Sequence, residues 1–526
     1  MKFYDVIIVG SGPAGTFSAY GLDVNNVLML DVGYRPKKSP ELHGNLDELR
    51  AKTPDMFPSL IGENFESMHN IYRSKISYKL KAPYMTYILK NWQKLSPVKT
   101  DGFETMMSFA TGGLANAWGA GVYQFNEDEL KNFPLTESEI APYYAELTKH
   151  IGISGTNDDL AESFGSVKSL LPSLERSGFF DSLLKRYRRL RHHKKFSNIK
   201  IGAPRLAILS QTYDGRQAYQ YDRMDFFKPY NKAVYNPAFT LEKIIQENNN
   251  FTYKPGFLVL HYIEHEEHVE VCAQRIDDDT VHYFKAKKLI LAAGALNTAK
   301  LVLKSNNDYE THLPIMDNPM VCVPMVDYKF IGKSTKHHDS PIAQLNLVYK
   351  TKEYGPIQAS FYGSTGPLRT DITFGFPLSV KGNMAMTKYL APAAGLAMIF
   401  FPGHLSPNNY IKLNQDNSLT ISYRDEKKDQ KIVRTLMTSF RKMGYLCLES
   451  LNQYPKIGNS LHYAGIFPMQ KNPSHYQTDK NGKLHGTQRI YITDGACFTE
   501  LPAKNLTFTI MANALRISRV IKGELS

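Results

Sequence analysis

The residues best suited to chemistry sit at the start of the chain. Gly10-Ser11-Gly12-Pro13-Ala14-Gly15 follows directly on the apolar run Val6-Ile7-Ile8-Val9. In a Gly-x-Gly-x-x-Gly turn the first glycine makes the bend. The second lets main chain approach a pyrophosphate, and the third lets a helix pack closely on the strand. The N–H groups that open such a helix point at phosphate. A second apolar run, Val27-Leu28-Met29-Leu30, ends in Asp31, where a carboxylate can hydrogen-bond a ribose hydroxyl. Strand, glycines, helix and acid in that order predict a dinucleotide site. A second glycine-dense stretch runs from Thr111 through Gly112, Gly113, Asn116, Ala117 and Trp118 to Gly121. It would let main chain pass close to a flat ligand or to another backbone.

These groups need two kinds of scaffold. The opening strands are apolar throughout, as in a parallel sheet buried on both faces. Strands are expected from Phe251 to Ile276. Lys288-Leu289-Ile290-Leu291-Ala292-Ala293-Gly294 then reads as a late strand of the same sheet, turning into a helix through Ala299 and Leu303. Residues from about 320 to 455 alternate in a strand-like way, as in Leu419-Thr420-Ile421-Ser422-Tyr423, with a helix near Lys431 to Met443. That pattern predicts an antiparallel sheet with helices on one side. Thr136 and Glu139 have the spacing of a capping box. The chain of 526 residues is too long for one simple core, so two interleaved domains are expected.

Composition narrows the function classes. Hydrophobic residues make up 42% and charged residues 21%, which is globular rather than disordered. The net charge of +13 owes part of its excess to residues 185–195, Lys-Arg-Tyr-Arg-Arg-Leu-Arg-His-His-Lys-Lys. Such a run reads first as a solvated helix face, and second as a peripheral contact with an anionic surface. No nucleic-acid module is present in the pattern. Cys272, Cys322, Cys447 and Cys497 show neither metal spacing nor a disulfide framework, so a reducing compartment is expected. The first strand leaves no room for a signal peptide before it, which points to the cytoplasm. The uncharged stretch Tyr389–Gly403 is interrupted by Pro392 and Pro402 and is too short to span a bilayer. It is read as buried core, with a pocket wall or membrane-contacting lip as the sharper alternative.

The order of motifs resembles the glucose–methanol–choline (GMC) oxidoreductases. The resemblance rests on the opening turn, Asp31-Val32-Gly33, Gly112-Gly113 and Leu291-Ala292-Ala293-Gly294-Ala295. It continues with His462-x-x-Gly465-x-x-x-Met469, Asp494-Gly495, Leu501-Pro502 and Asn505-x-Thr507-x-Thr509-Ile510-Met511. It implies an α/β fold in which an FAD-binding Rossmann-like domain is interleaved with a substrate domain on an antiparallel sheet. The FAD domain would take residues 1–45, 101–125, 215–320 and 456–526. The substrate domain would take 126–214 and 321–455, with 46–100 as connecting helices and loops.

By the same resemblance, Gly10, Ser11, Gly12, Gly15 and Asp31 hold the ADP half of FAD, and Val259 meets adenine. Gly112, Gly113, Asn116 and Ala117 lie against the isoalloxazine, and Ala293 and Gly294 also contact the cofactor. Asp494, Gly495 and the turn from Asn505 through Thr507 and Phe508 close over the rest. Some family members carry a flavin-linking histidine in the Gly112 segment. Asn116 and Ala117 occupy that place here, which implies noncovalent FAD. The implied activity is oxidation of an alcohol, with hydride passing to flavin N5 and electrons then passing to oxygen or another acceptor. His462 would take the hydroxyl proton and Asn505 would steady the oxygen. His475 and His485 lack the Gly465 and Met469 spacing and read as loop residues. A non-redox FAD lyase of the same fold is the alternative, and a cofactor-binding scaffold or a nicotinamide dehydrogenase are weaker ones.

Overall fold

Parallel pairing of the opening strands builds the first sheet. The computed structural model describes residues 2–22, 26–37, 46–53, 56–68, 78–222, 224–333, 335–364, 377–424 and 428–525. In spatial order the sheet runs Phe251–Pro255 (β5), Val27–Asp31 (β2), Phe3–Val9 (β1), Val281–Leu291 (β8), Val269–Arg275 (β7) and Phe257–Glu264 (β6). Ile490–Ile492 (β16) also pairs with β8. β1 is parallel to both neighbours, with Ile8 opposite Met29 on one side and Ile290 on the other. Val6, Ile7 and Ile8 are fully buried, which is why this strand is apolar at every position rather than at alternate ones.

Helix α1 (Pro13–Gly21) starts on proline, whose missing N–H costs nothing at that position. A Cβ on Gly21 would fall 2.0 Å from Ser518 Oγ. The closing helix Thr507–Leu525, called α6 below, therefore packs directly on α1. The carboxyl end of the chain is thus part of the dinucleotide layer.

The second sheet is antiparallel, in the order Met320–Val326 (β10), Ala394–Phe400 (β13), Pro356–Gly363 (β12), Leu345–Lys350 (β11), Ile199–Gly202 (β4). Its strands alternate with period two. Val321, Val323, Ala397 and Ile399 join one core with Phe180 and Leu183 of α2 (Gly178–Leu190) and Leu436 and Phe440 of α5 (Gln430–Lys442). Met320, Cys322, Pro324, Leu396 and Met398 face the other way and line a cavity. The stretch Tyr389–Gly403 is therefore both things at once: β13 buries one row of side chains and offers the other to the cavity. Its first residues finish helix α4 (Val380–Leu390). The helix numbered α3 is Ala295–Ser305, after β8.

The expected strands from Phe251 onward, the helix near Lys431 and the capping box of Thr136 with Glu139 are all present. Leu419–Ser422 (β15) is a strand, but not of the second sheet. It pairs with Val98–Asp101 (β3), Tyr410–Leu413 (β14) and, through β14, Leu313–Pro314 (β9) in a small separate sheet. Segment 46–100, read as a connection, thus contributes an edge strand. The basic run forms the last turns of α2 and the loop after it. Lys185, Arg188 and Arg189 are exposed, while Arg186 pairs with Asp327 at 2.5 Å and Arg191 with Asp159 at 3.1 Å. No helix among the described residues is long and apolar enough to cross a membrane.

Candidate active site

A single cavity of about 1840 Å³ runs from the α1 turn to the inner face of the second sheet. A drug-sized ligand needs roughly 300–1,000 Å³, so this space suits an extended cofactor and a second molecule. Val9 to Ala14, Asp31, Val259, Ala293, Gly294 and Lys304 line one part; His462 and Asn505 line another.

At the α1 turn the three glycines have separate physical reasons. A Cβ on Gly10 (φ +96°) would lie 2.6 Å from the Ala292 carbonyl oxygen, and one on Gly15 only 1.9 Å from the Gly10 carbonyl oxygen. A Cβ on Gly12 would meet no protein atom within 4 Å. Protein packing therefore demands the first and third glycines, while the second leaves room in the groove itself. Gly12 caps α1 with no side-chain hydrogen bond, so the amides that open the helix remain available to an anion.

Asp31 lies beside this turn. Its Oδ2 accepts hydrogen bonds from the Ser11 hydroxyl and, at 3.1 Å, from the Tyr253 hydroxyl. Burial pushes its carboxyl up to about 7, against the lowering effect of those donors. Ser11 Oγ also accepts from the Gly112 amide at 3.2 Å, which ties the two glycine segments together. Tyr253 completes the network through Thr111, 2.9 Å away. Tyr253 carries no motif signal of its own, and Thr111 figures in the sequence only as the first residue of the glycine-dense stretch.

Asp494 performs the same service at the C-terminal side. It accepts from the Gly294 amide at 2.9 Å, Thr298 Oγ1 at 2.6 Å and the Ala496 amide at 3.0 Å. Burial raises its carboxyl to about 6. It holds the β8–α3 turn open, with Ala293, Gly294, Gly495 and Thr507 on the cavity wall.

Gly113 and Ala117 also line the cavity, but Gly112, Asn116, Gly15 and Phe508 do not. Asn116 was expected against a flavin ring. Its amide is spent on protein instead. Nδ2 donates to the carbonyls of Thr111 at 2.9 Å and Gly113 at 2.7 Å, and Oδ1 accepts from Tyr87 and Asn236. It staples the glycine turn from behind. Phe508 stacks on Tyr144, with ring centroids 5.2 Å apart. Trp118 does reach the cavity and anchors its indole N–H on the Tyr235 carbonyl at 2.9 Å.

His462 is buried against Phe400 and presents an edge to the cavity. Its Nδ1 lies 2.7 Å from Asn318 Oδ1. The Asn318 amide nitrogen donates to the carbonyls of Phe401 at 2.8 Å and Pro502 at 3.1 Å. Two carbonyls can only be served by the NH₂ end, so the oxygen must face the imidazole. An amide oxygen only accepts, so Nδ1 carries the proton and Nε2 keeps its lone pair. Nε2 has no protein partner among the described residues. Burial pushes the imidazole down to about 4, which keeps it neutral at physiological pH.

The backbone around His462 is held by Asp317. That carboxylate accepts from the Gly458 amide at 2.7 Å, the His462 amide at 2.9 Å and the Ser460 hydroxyl. Asp317 and Asn318 carry no motif signal in the sequence.

Asn505 also lines the cavity, in the turn before α6. A Cβ on Gly121 would come within 3.1 Å of its Oδ1. The neighbouring Lys504 is buried and fixes the turn. Its Nζ bonds to Glu129 Oε2 at 2.5 Å and to the carbonyls of Gln124 at 3.0 Å and Ser163 at 2.6 Å. His475 and His485 are exposed and lie off the cavity. The residues present therefore fit FAD: uncapped helix amides and an unfilled glycine for the pyrophosphate, an acid beside them, and a neutral imidazole at the far end.

Residues 406–514 match the family model described as GMC oxidoreductase. Over 99% of its length the chain is 22% identical to the fructose dehydrogenase large subunit of Gluconobacter japonicus, covering 98% of that protein. It is 23% identical over its whole length to the 6'''-hydroxyparomomycin C oxidase of Streptomyces lividus, covering 92% of it. Its fold matches pyridoxine 4-oxidase from Mesorbium loti with a TM-score of 0.58 at 13% identity, over 98% of this chain and 99% of that one. It also matches an Aspergillus oryzae RIB40 formate oxidase variant with a TM-score of 0.62 at 14% identity, over 99% and 98%. Motif order, the family match over residues 406–514, the full-length relatives and the fold all agree with the GMC oxidoreductases.

Proposed function

We propose that this protein is an FAD-dependent oxidoreductase that oxidises an apolar alcohol, with His462 as the base. One observation carries the reading. Asn318 fixes His462 as the Nδ1–H tautomer, which leaves Nε2 without a partner among the described residues, and His462 lines the same cavity as the glycine turn. Gly10, Ser11, Gly12 and Asp31 hold the ADP half of the cofactor, and Gly113, Ala117, Ala293 and Gly294 border its ring. Noncovalent FAD, when bound, supplies the two-electron acceptor for the hydride leaving the carbinol carbon. His462 Nε2 takes the hydroxyl proton. Asn505 donates a hydrogen bond to the oxygen as it gains negative charge, without competing for the proton. Asp317 keeps the imidazole in place.

The chamber wall from the second sheet consists of Met320, Cys322, Pro324, Leu396, Met398 and the Tyr362 ring. No charged side chain stands in that wall. The relatives are named for fructose and 6'''-hydroxyparomomycin C; such polar substrates would leave hydroxyls unpaired here, at a cost. An alcohol with a hydrocarbon body fits better. The four described cysteines are free and buried, which supports a reducing compartment.

The test is anaerobic. The FAD-loaded protein is mixed with alcohols of rising hydrocarbon length and its visible absorbance followed. Bleaching that grows faster with chain length supports the reading. Turnover without bleaching would instead make the protein a lyase, with FAD in a structural role. His462→Gln should keep FAD and lose roughly 10²–10⁴-fold in bleaching rate.

A further inference from the structure

Exposed apolar side chains cluster near one end of the second sheet, and two of them, Leu451 and Tyr454, also line the cavity. Most of the large hydrophobic residues exposed among the described residues lie in three segments: Tyr328 and Ile331, Leu378 to Tyr389, and Leu446 to Tyr454. Main-chain bonds gather these segments at one end of the second sheet. Val326 pairs with Leu446 in both directions, at 2.9 and 2.8 Å, and the Gly332 amide donates to the Tyr389 carbonyl at 2.9 Å. Val326 is also opposite Ala394, the first residue of β13 after α4. Leu390, Leu451 and Tyr454 line the cavity itself, so the patch is continuous with the opening.

Helix α4 is inverted. A surface helix normally buries its apolar face and exposes its polar one. Here Asn383 and Thr387 are the buried residues, while Val380 at 63%, Met384 at 60% and Tyr389 at 58% are open to solvent. A contiguous exposed patch of this kind marks an interaction site. Its charges say with what. Lys329, Lys333, Lys381 and Lys388 are exposed among these apolar side chains, and no described residue forms an ion pair with them. The one acid among the described residues of the three segments, Glu449, is paired with Arg434 at 3.2 Å.

We propose that this rim docks on an anionic lipid bilayer, so that the chamber opens toward the membrane. An apolar face flanked by lysines is the arrangement of a helix lying in the lipid–water interface. A second copy of the chain suits the patch poorly, because a two-fold interface would set the same lysines against each other. The basic stretch 185–195 is not required; α2 lies on the opposite face of this sheet. The notion that substrate enters here rests on the proposed function. The docking surface itself is read without turnover, so the two can fail separately.

The experiment uses FAD-loaded full-length protein and vesicles of phosphatidylcholine, alone or mixed with phosphatidylglycerol. The protein should sediment with the mixed vesicles, less so as salt rises. Val380→Glu with Met384→Glu should reduce that binding at least about tenfold. Lys381→Gln with Lys388→Gln should reduce it by roughly 25-fold at low salt, near fivefold per lysine. Turnover of a short soluble alcohol should stay unchanged in both variants. Absence of sedimentation with mixed vesicles overturns the proposal. So does a dimer in sedimentation velocity that Val380→Glu with Met384→Glu dissolves, since the patch would then be a self-interface.

Discussion

Asn318 never touches the reacting carbon in this scheme, yet its replacement should slow the chemical step. In Asn318→Leu the His462 Nδ1–H loses its acceptor at 2.7 Å, and the carbonyls of Phe401 and Pro502 lose their donor. A hydrogen bond of this kind is worth about 0.5–1.5 kcal/mol net. Its loss shifts the tautomer balance by roughly two- to twelvefold toward the Nε2–H form, whose Nε2 can no longer accept a proton. The ring also loses its anchor, and a misplacement near 1 Å costs about 10²-fold. Together these effects should lower the flavin-reduction rate in anaerobic stopped flow by roughly 200- to 1,200-fold.

The pH profile separates this positioning role from simple damage. Burial holds the wild-type imidazole near 4. The neutral form is the base, so activity should be lost only as pH falls through about 4 and stay level to neutrality. Asn318→Asp puts a carboxylate beside Nδ1. A neighbouring negative charge favours the imidazolium, so the acid limb should move upward toward neutral pH. Refutation is simple to state: a folded, FAD-loaded Asn318→Leu protein that reduces its flavin at the wild-type rate, or an Asn318→Asp protein whose acid limb stays put.

The glycine turn offers a second, internally controlled test. Gly12→Val places its side chain in open groove, so the protein should emerge without yellow colour and melt where FAD-free wild type melts. Gly15→Val drives a Cβ into the Gly10 carbonyl and should lower the melting temperature sharply; equal behaviour of the two would defeat the assignment. Lys504→Met strands the buried Glu129 carboxylate and should cost about 3–5 kcal/mol in denaturant unfolding. Adding Glu129→Gln should return part of that loss, which a mere packing defect would not allow.

What the sequence disclosed follows the distance along the chain over which a contact forms. The strand, glycine turn, helix and acid of residues 3–31 are local, and each step has its own residue signature. Asp31 was legible as the acid of the site, but Tyr253, which shares it with Ser11, comes from a strand more than two hundred positions away. The resemblance puts Asn116 against the flavin ring, in the segment that opens with Gly112 and Gly113. Those same glycines leave the Thr111 and Gly113 carbonyls needing a donor, and the amide supplies it. The all-apolar stretch Tyr389–Gly403 is compatible with buried core and with a pocket wall alike. Only the pairing of β13 with β10 and β12 assigns alternate residues to core and chamber. Asn318 is the extreme case. Before Pro319 its type implies nothing beyond a turn. Its meaning arises when the end of β13 and the turn before α6 bring the carbonyls of Phe401 and Pro502 onto one side of it, and the loop capped by Asp317 brings His462 onto the other. The proton on that imidazole is thus set by three segments that no local pattern connects, and a base chosen from motif spacing alone would have had no defined side from which to act.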